Sequence, residues 1–267
     1  LPAEAEAVIR RVAAGMGSPV RSIAEEFGAG MMAADYPKTN LEGDYQRWNA
    51  ATATLVARVL MRRAGGNGTH DNSTRDNGTR NNGTHDNSTR DDDAKDWRLT
   101  EGVIARGLQR VDWPGRWQHV VVGGQELILD ASHNPEGARV LDDNLTHLRA
   151  RLGGGESGKP IIVTGALGAQ RARALLEVEA RHARELHLVV PHQSRACSHE
   201  ELEALVPRGF TGRVFHATVG ELFPEPNRCA LSDTRAPVVV TGSIYLIGEV
   251  FTHLQKGVKG EERLQDF

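Results

Sequence analysis

The clearest periodicity in the first third of the chain runs over residues 44–63, where Trp48, Ala51, Leu55, Val56, Val59 and Leu60 recur at helical spacing. Such spacing predicts a helix with one stripe packed into a core, ended by Gly65 and Gly66. Ala7, Val8, Val12 and Ala13 repeat in the same way ahead of Gly15, with Pro2 suited to a first helical turn. Residues 1–64 therefore read as helical. A further short helix is predicted over 97–111, with Thr100 as its N-cap. Beyond Trp113 the period changes. Short apolar runs at 126–129, 161–163, 186–190, 214–216 and 238–240 alternate with helical stretches at 135–148, 172–184 and 200–205, and a last one near 245–254. Strand–helix alternation of this kind predicts an α/β fold, a Rossmann-like, mostly parallel sheet flanked by helices. In such sheets ligands sit beyond the carboxyl ends of the strands.

One stretch has neither period. Residues 66–96 contain Ala94 and almost nothing else apolar, and they carry a pentad repeat: Asn67-Gly-Thr-His, Asn72-Ser-Thr-Arg, Asn77-Gly-Thr-Arg, Asn82-Gly-Thr-His, Asn87-Ser-Thr-Arg. A segment without hydrophobics cannot offset its ordering entropy, so disorder is expected. Stretching a connection from about 5 to about 35 residues costs only about 1.7 kcal/mol, so an expanded loop is tolerable. Each pentad holds an N-x-[ST] sequon, which matters only on a glycosylating secretory route.

Composition acquires meaning once this tract is set aside. The 267 residues are 39% apolar, and without the tract the remainder rises to about 44%, enough for a core. The net charge of −3, from 32 Lys+Arg and 35 Asp+Glu, also belongs to the tract. Asp71, Asp76, Asp86, Asp91, Asp92, Asp93 and Asp96 stand there against Arg75, Arg80, Arg90 and Lys95. A near-neutral body gives no support for a nucleic-acid or membrane-surface binder driven by bulk charge. No run approaches the ~18 apolar residues of a membrane span. Cys197 and Cys229 fit no metal or redox spacing and suggest a reducing compartment. The chain begins with Leu1, so its native start is not visible.

Chemistry concentrates where strands end. The run at 126–129 leads into Asp130-Ala-Ser-His133-Asn134-Pro135, in which Asn134 is a natural N-cap and Pro135 a natural first helical residue. Asp130 and His133 are therefore expected at the sheet's carboxyl edge, beside helix N–H groups that attract anions. An ordinary strand–helix connection with a capping Asn is the simpler alternative. The last run leads into Thr241-Gly242-Ser243, where Ser243 either caps the next helix or meets an anionic ligand. Trp113-Pro114-Gly115-Arg116 is a turn whose Arg116 is either solvated or placed to clamp phosphate.

Two patterns are decoys. Gly153-Gly-Gly-Glu-Ser-Gly158-Lys159-Pro160 approaches a phosphate-loop consensus, but a helix precedes it, a strand follows it, and Pro160 takes the place of the metal-binding hydroxyl. His182, His187 and His192 lie five apart across a predicted strand, which is not metal-ligand spacing. No G-x-G-x-x-G follows a strand, so a dinucleotide-dependent dehydrogenase has no support.

Taken in order, Leu41-Glu-Gly43-Asp-Tyr-Gln46-Arg-Trp-Asn49-Ala50, Trp113-Pro-Gly-Arg116, Leu129-Asp130-Ala-Ser-His133-Asn-Pro135, Thr164-Gly-Ala-Leu167, Ser194-Arg195-Ala196 and Thr241-Gly-Ser-Ile-Tyr-Leu-Ile-Gly-Glu-Val250 resemble the folylpolyglutamate synthase/dihydrofolate synthase family of the Mur ligase superfamily. The match spans nearly the whole chain outside the pentad tract. Asp-x-x-His-Asn-Pro marks the superfamily, whereas Trp-Pro-Gly-Arg and Gly-Ser-Ile-Tyr-Leu-Ile-Gly point to the folate branch. The resemblance implies ATP-dependent joining of L-glutamate to a folate or dihydropteroate carboxyl group through an acyl phosphate, with ATP and Mg2+ as cofactors. Asn49, Arg116 and Asp130 would be ATP contacts, with Arg116 at phosphate and Asp130 at the nucleoside; His133 and Ser243 would stand nearer the incoming glutamate. It further implies small-molecule substrates, no nucleic-acid or membrane partner, a monomer and a cytoplasmic location.

The resemblance divides the chain at 111/112. Residues 1–111 would be the helical tail of the central ATPase domain, with 66–96 as an insert, and 112–267 the C-terminal α/β domain. The family's phosphate loop, magnesium ligands and carbamoylated lysine precede the region matched by Pro2 to Gly28, so the chain reads as a fragment expected to be inactive alone. Two departures stand out. Tyr45 replaces the usual His before Gln46, and Ala169-Gln170 replaces the usual Asp-Lys after Gly-Ala-Leu167. Another Mur-type amino-acid ligase and a non-catalytic nucleotide-binding α/β module are the competing readings.

Overall fold

In the first of two compact units most apolar faces of the helices are only partly covered. The computed structural model describes residues 3–65, 99–231 and 236–254. It divides the chain into Leu1–Asn40 with Asp44–Val111, and Leu41–Gly43 with Asp112–Phe267. The disorder expected over 66–96 and the helical start at Pro2 lie outside the described residues.

The first unit contains α1 (Ala3–Gly15), α2 (Ile23–Phe27), a 3-10 turn at Ala33–Asp35, α3 (Asp44–Gly65) and α4 (Glu101–Leu108). Residues 16–22 and 28–43 are therefore largely not helical, against the continuous helical reading of 1–64. The breaks have local causes. Ser22 caps α2 through a reciprocal pair with Glu25, at 3.2 and 3.1 Å, and Gly28 at φ 107° ends that helix. Thr100 caps α4 as expected. Arg58 ties three helices together, bonding Glu26 at 3.2 Å and Glu101 at 2.8 Å and lying 5.1 Å over the Phe27 ring.

The predicted stripe on α3 needs correction. Ala51 and Leu55 are buried, but Trp48, Val56 and Leu60 are 45%, 54% and 55% exposed. The contact face instead follows Ala50, Thr54, Ala57 and Met61, packed with Ile104 and Leu108 of α4. The side chains on that face are mostly small, so hydrophobic size along the chain does not mark it. The Thr54 hydroxyl satisfies itself on the Ala50 carbonyl at 2.8 Å.

The second unit holds β1 (Gln118–Val122), β2 (Gln125–Leu129), α5 (Pro135–Arg151), β3 (Ile161–Thr164), α6 (Ala169–His182), β4 (Glu185–Val189), α7 (His199–Leu205), β5 (Arg213–Ala217), α8 (Val219–Leu222), β6 (Val238–Thr241) and α9 (Ile244–Leu254). They build a six-stranded sheet in the order β1-β2-β6-β3-β4-β5, parallel except for β1. The fold class is the expected mostly parallel α/β sheet. One core packs α5, α6 and α7 on Ile128, Ile162, Leu186, Leu188 and Val239; the other packs α8 and α9 on Leu127, Leu129, Val163, Val238 and Val240. Cover on both faces explains why β3 and β6 are apolar runs and not alternating strands.

The strand β1 was not anticipated; the run at 126–129 was read as the first strand. Gly123 and Gly124, at φ 58° and 86°, supply the two left-handed positions of a tight hairpin, and Val122 pairs with Gln125 across it. Cys197 and Cys229 are both free thiols. Among the described residues no helix is long and apolar enough to cross a membrane.

Candidate functional site

The strand β6 lies between β2 and β3, yet α9 leaves it on one face while α5 and α6 leave its neighbours on the other. In doubly wound sheets ligands sit at such a reversal, here the carboxyl-end edge of β2 and β6. Backbone hydrogen bonds draw three distant segments to it. The Ala131 N–H donates to the Gly115 carbonyl at 2.8 Å, and the Gly242 N–H donates to the Ser132 carbonyl at 3.1 Å. Trp113-Pro-Gly-Arg116, Asp130 to Pro135 and Thr241-Gly-Ser243 thus meet at one edge.

Both glycines are required there. Gly115 has φ 73°, and a Cβ on it would come 2.9 Å from Ile247 Cγ2. Gly242 has φ 101°, and a Cβ would lie 2.7 Å from Thr164 Oγ1 and 2.8 Å from the Gly165 carbonyl.

Asp130 is 6% exposed, and its N–H completes the sheet on the Val240 carbonyl at 2.9 Å. Its carboxyl accepts the Ser132 hydroxyl at 2.6 Å and the N–H groups of Trp117 and Ser132. Burial pushes the Asp130 carboxyl above its ordinary range, opposed by the Ser132 hydroxyl, by the charge of Arg116 and by those two N–H groups. Arg116 is half-buried, with its guanidinium 6.0 Å over the Trp113 ring. Trp117 adopts φ 51°, unusual for a bulky residue, in the turn that aims its N–H at Asp130.

His133 donates Nδ1–H to the Ala131 carbonyl at 2.8 Å, because a carbonyl can only accept. In the neutral ring Nε2 is therefore left with its lone pair. Asn134 caps α5, accepting the Gly137 N–H at 2.7 Å, with Pro135 in the first helical position. Ser243 is 1% exposed, and its hydroxyl oxygen accepts the Tyr245 N–H at 3.1 Å, which is the capping role. Arg116, Asp130, His133 and Ser243 thus share one edge of the second unit. Asn49 belongs to the first unit, exposed on α3, where its amide donates to Gln46 Oε1 at 3.0 Å.

Two more motif segments pair at the ends of β3 and β4. Leu167 forms a bridge with Ala196, and the Cys197 N–H donates to the Ala166 carbonyl at 3.0 Å. Gln170 is exposed in the first turn of α6, which carries no acidic residue and no side-chain cap. Beneath this edge Thr164 Oγ1 donates to the fully buried Glu179 at 3.0 Å. Ser132 and Trp117, both bound to Asp130, were not singled out from the sequence. Ser132 stood inside the quoted motif; nothing local marked Trp117.

The decoys resolve as ordinary structure. Lys159 pairs with Glu156 at 2.8 Å in the loop before β3. His182 bonds Asp142 at 2.6 Å, while His187 stacks on Phe215 at 4.7 Å. Among the described residues no three His, Cys, Asp or Glu side chains gather to hold a metal ion. No residue here is therefore assigned to Mg2+.

Fold and edge define a doubly wound α/β unit in which the Trp113, Asp130 and Thr241 segments meet at the strand ends where the order reverses. No family model matches the chain, and a search of curated proteins finds no match. Similar solved structures include the bifunctional folylpolyglutamate synthase/dihydrofolate synthase of Yersinia pestis complexed with AMPPNP and Mn ion, at 24% identity and TM-score 0.47, covering 60% of this chain and 36% of that one. The folylpolyglutamate synthase of Thermotoga maritima is similar at 24% identity and TM-score 0.45, covering 61% and 36%. E. coli FolC in complex with DHPP and ADP is similar at 21% identity and TM-score 0.48, again covering 61% and 36%. The chain spans about a third of the length of these structures.

Proposed function

We propose that this chain is the C-terminal portion of an ATP-dependent ligase that joins L-glutamate to a folate or dihydropteroate carboxyl group through an acyl phosphate. Residues 1–111 are then the tail of its ATPase domain and 112–267 its C-terminal domain. The observation that carries the reading is the convergence of the Trp113, Asp130 and Thr241 segments, more than a hundred residues apart at the extremes, on one strand-end edge.

The chemistry follows from the side chains. Arg116, held over Trp113 beside Asp130, supplies positive charge for phosphate, and the buried Asp130 carboxyl accepts nucleoside hydroxyls. His133 Nε2 stands free to take a proton from the attacking amine. The N-terminus of α5 favours the carboxylate of glutamate. ATP supplies the leaving phosphate; the residues of this chain bind and orient. Asn49 is a further nucleotide contact. The magnesium ligands fall to the preceding part of the enzyme, so the chain alone forms no acyl phosphate.

Titration of the purified chain with ATP, followed by saturation-transfer NMR, tests this. Binding is expected, lost in Asp130→Ala and about tenfold weaker in Arg116→Ala. No binding, or equal binding by both variants, overturns the reading, as does ATP-dependent phosphate release by the chain alone. A second reading, a non-catalytic nucleotide-binding module, is favoured by the absence of an acidic residue from the first turn of α6, where Ala169-Gln170 stand. Glutamate ligation by a longer protein containing this chain, with pteroate-type against muropeptide acceptors, separates a folate ligase from a cell-wall ligase and both from that module.

A further inference from the structure

Asp130, Thr241 and Thr164 form a row across one face of the sheet. Ile128, Val239 and Ile162 are register partners on β2, β6 and β3, and all three pack in the core shared with α5 and α6. Residues two further on return to the same face. Thr164 and Thr241 are themselves register partners, and the Asp130 N–H extends the ladder to the Val240 carbonyl at 2.9 Å. The row thus lies at the edge that carries the candidate site. Glu179 of α6 closes it at the β3 end, accepting the Thr164 hydroxyl at 3.0 Å.

Two atoms of this cluster, Glu179 Oε2 and Thr241 Oγ1, are buried without a hydrogen-bond partner, and both residues are 0% exposed. A different proton position does not relieve this, because no polar atom stands in hydrogen-bonding geometry with either one. A neutral carboxyl tolerates such surroundings far better than a carboxylate, whose unpaired charge is costly to bury. Burial accordingly pushes Glu179 up to about 8, opposed only by the Thr164 bond. No charge reaches it from the packed elements. On α5, Asp142 is held by Arg181 and His182, and Arg149 reaches the Arg181 carbonyl. On α7, Glu200 and Glu201 bond Ser198, and Glu203 meets His216. Next along the row β4 offers Leu188, while β6 and β2 offer Thr241 and Asp130.

A carboxylate at Glu179 needs a further donor, and the Thr241 hydroxyl is the unengaged one on the row. Thr241 directly precedes Gly242, whose N–H donates to the Ser132 carbonyl at 3.1 Å, and Ser132 in turn donates to Asp130 at 2.6 Å. We propose that Glu179 is a positioning residue for the strand-end edge. Protonated, it leaves Thr241 in place beside Gly242; deprotonated, it draws the Thr241 hydroxyl toward itself, loosens the Gly242–Ser132 bond and weakens nucleotide binding beside Asp130. The effect on nucleotide rests on the ligase reading, whereas the coupling between Glu179 and Gly242 does not.

The test is carbon-13 NMR of the full chain between about pH 6 and about pH 9, following the Gly242 Cα resonance, first alone and then with ATP. Wild type is compared with Glu179→Gln and with Thr241→Val, which keeps the shape and removes the hydroxyl. In wild type Gly242 is expected to titrate with a midpoint near 8, and ATP affinity to fall about tenfold relative to Glu179→Gln across the range. Both responses are expected to vanish in Glu179→Gln and in Thr241→Val; a purely structural role for Glu179 produces no such pH profile. A Gly242 resonance that does not titrate, titration that survives in either variant, or loss of all dispersed resonances together overturns the proposal. So does ATP affinity that tracks Glu179→Gln at every pH. Absence of ATP binding at any pH overturns the ligase reading instead, and the Gly242 titration then decides the coupling by itself.

Discussion

Glu179 offers the sharpest physical test of the second unit. It is 0% exposed on α6, with Oε1 accepting from Thr164 at 3.0 Å and Oε2 buried without a partner. Burial pushes this carboxyl from an ordinary 4.5 up to about 8, and the bond from Thr164 only partly opposes the rise. The sign follows from linkage. Below about pH 4.5 Glu179 is protonated in both folded and unfolded chains, and its contribution to stability is fully present. As pH rises, the unfolded chain releases the proton while the folded one keeps it, so stability falls until about pH 8 and then levels. The slope is about 1.4 kcal/mol per pH unit and the total about 5 kcal/mol, comparable with the whole net stability of a modest domain. Glu179→Gln preserves the shape and removes the titration. Guanidinium unfolding of both proteins between about pH 5 and pH 9 gives a difference in stability from which other groups cancel. Glu179→Gln is expected to gain on the wild type steadily with pH, by several kcal/mol across the range. A difference that stays flat to within about 1 kcal/mol refutes a neutral, buried Glu179.

The remaining stability predictions concern the strand-end edge and α3. Gly242→Ala combines φ 101° with a Cβ 2.7 Å from Thr164 Oγ1 and 2.8 Å from the Gly165 carbonyl. It is expected to destabilise by about 3 kcal/mol or more in denaturant unfolding, and a loss below about 1 kcal/mol contradicts the close approach of β6 and β3 at that edge. On α3, Leu60→Gln is expected to change stability by no more than about 0.5 kcal/mol, while Leu55→Ala, at a buried position, costs about 2 kcal/mol or more. A cost at Leu60 as large as that at Leu55 would restore the original stripe.

Much of the second unit was legible because covered parallel strands have a distinctive signature. Val238, Val239 and Val240 are all fully buried, and such a run between turn residues has few other homes. The hairpin strand β1 was hidden for the opposite reason. His119 and the 72% exposed Val121 belong to an edge with only one covered face, and its Gly123-Gly124 turn is short enough to pass for a loop. The α3 stripe failed differently. Periodicity reports that a helix has an apolar side, but which sector touches its neighbour depends on that neighbour. Ala50 and Thr54 contribute little to a hydrophobic pattern, yet both are buried, Ala50 against Ile104 and Leu108 of α4.

The candidate site divides along the same line. Asp130, His133 and Ser243 were visible because each follows an apolar run, and strand ends next to capping residues place side chains predictably at one edge. What the chain order does not carry is who holds whom across that edge. Ser132 reaches the Asp130 carboxyl with its side chain and Gly242 with its carbonyl, so a residue between two motif positions joins β2 to β6. Trp117 does the same from a turn, at a backbone angle no pattern of apolar residues encodes. Glu42 and Asn144, about a hundred residues apart in the chain, line one recess with His119 of β1 and Arg151 of α5. Motifs therefore locate the chemistry in this chain, whereas the groups that fix its geometry are supplied by long-range packing, and variants at Ser132 and Trp117 should disturb Asp130 as strongly as variants at the motif residues themselves.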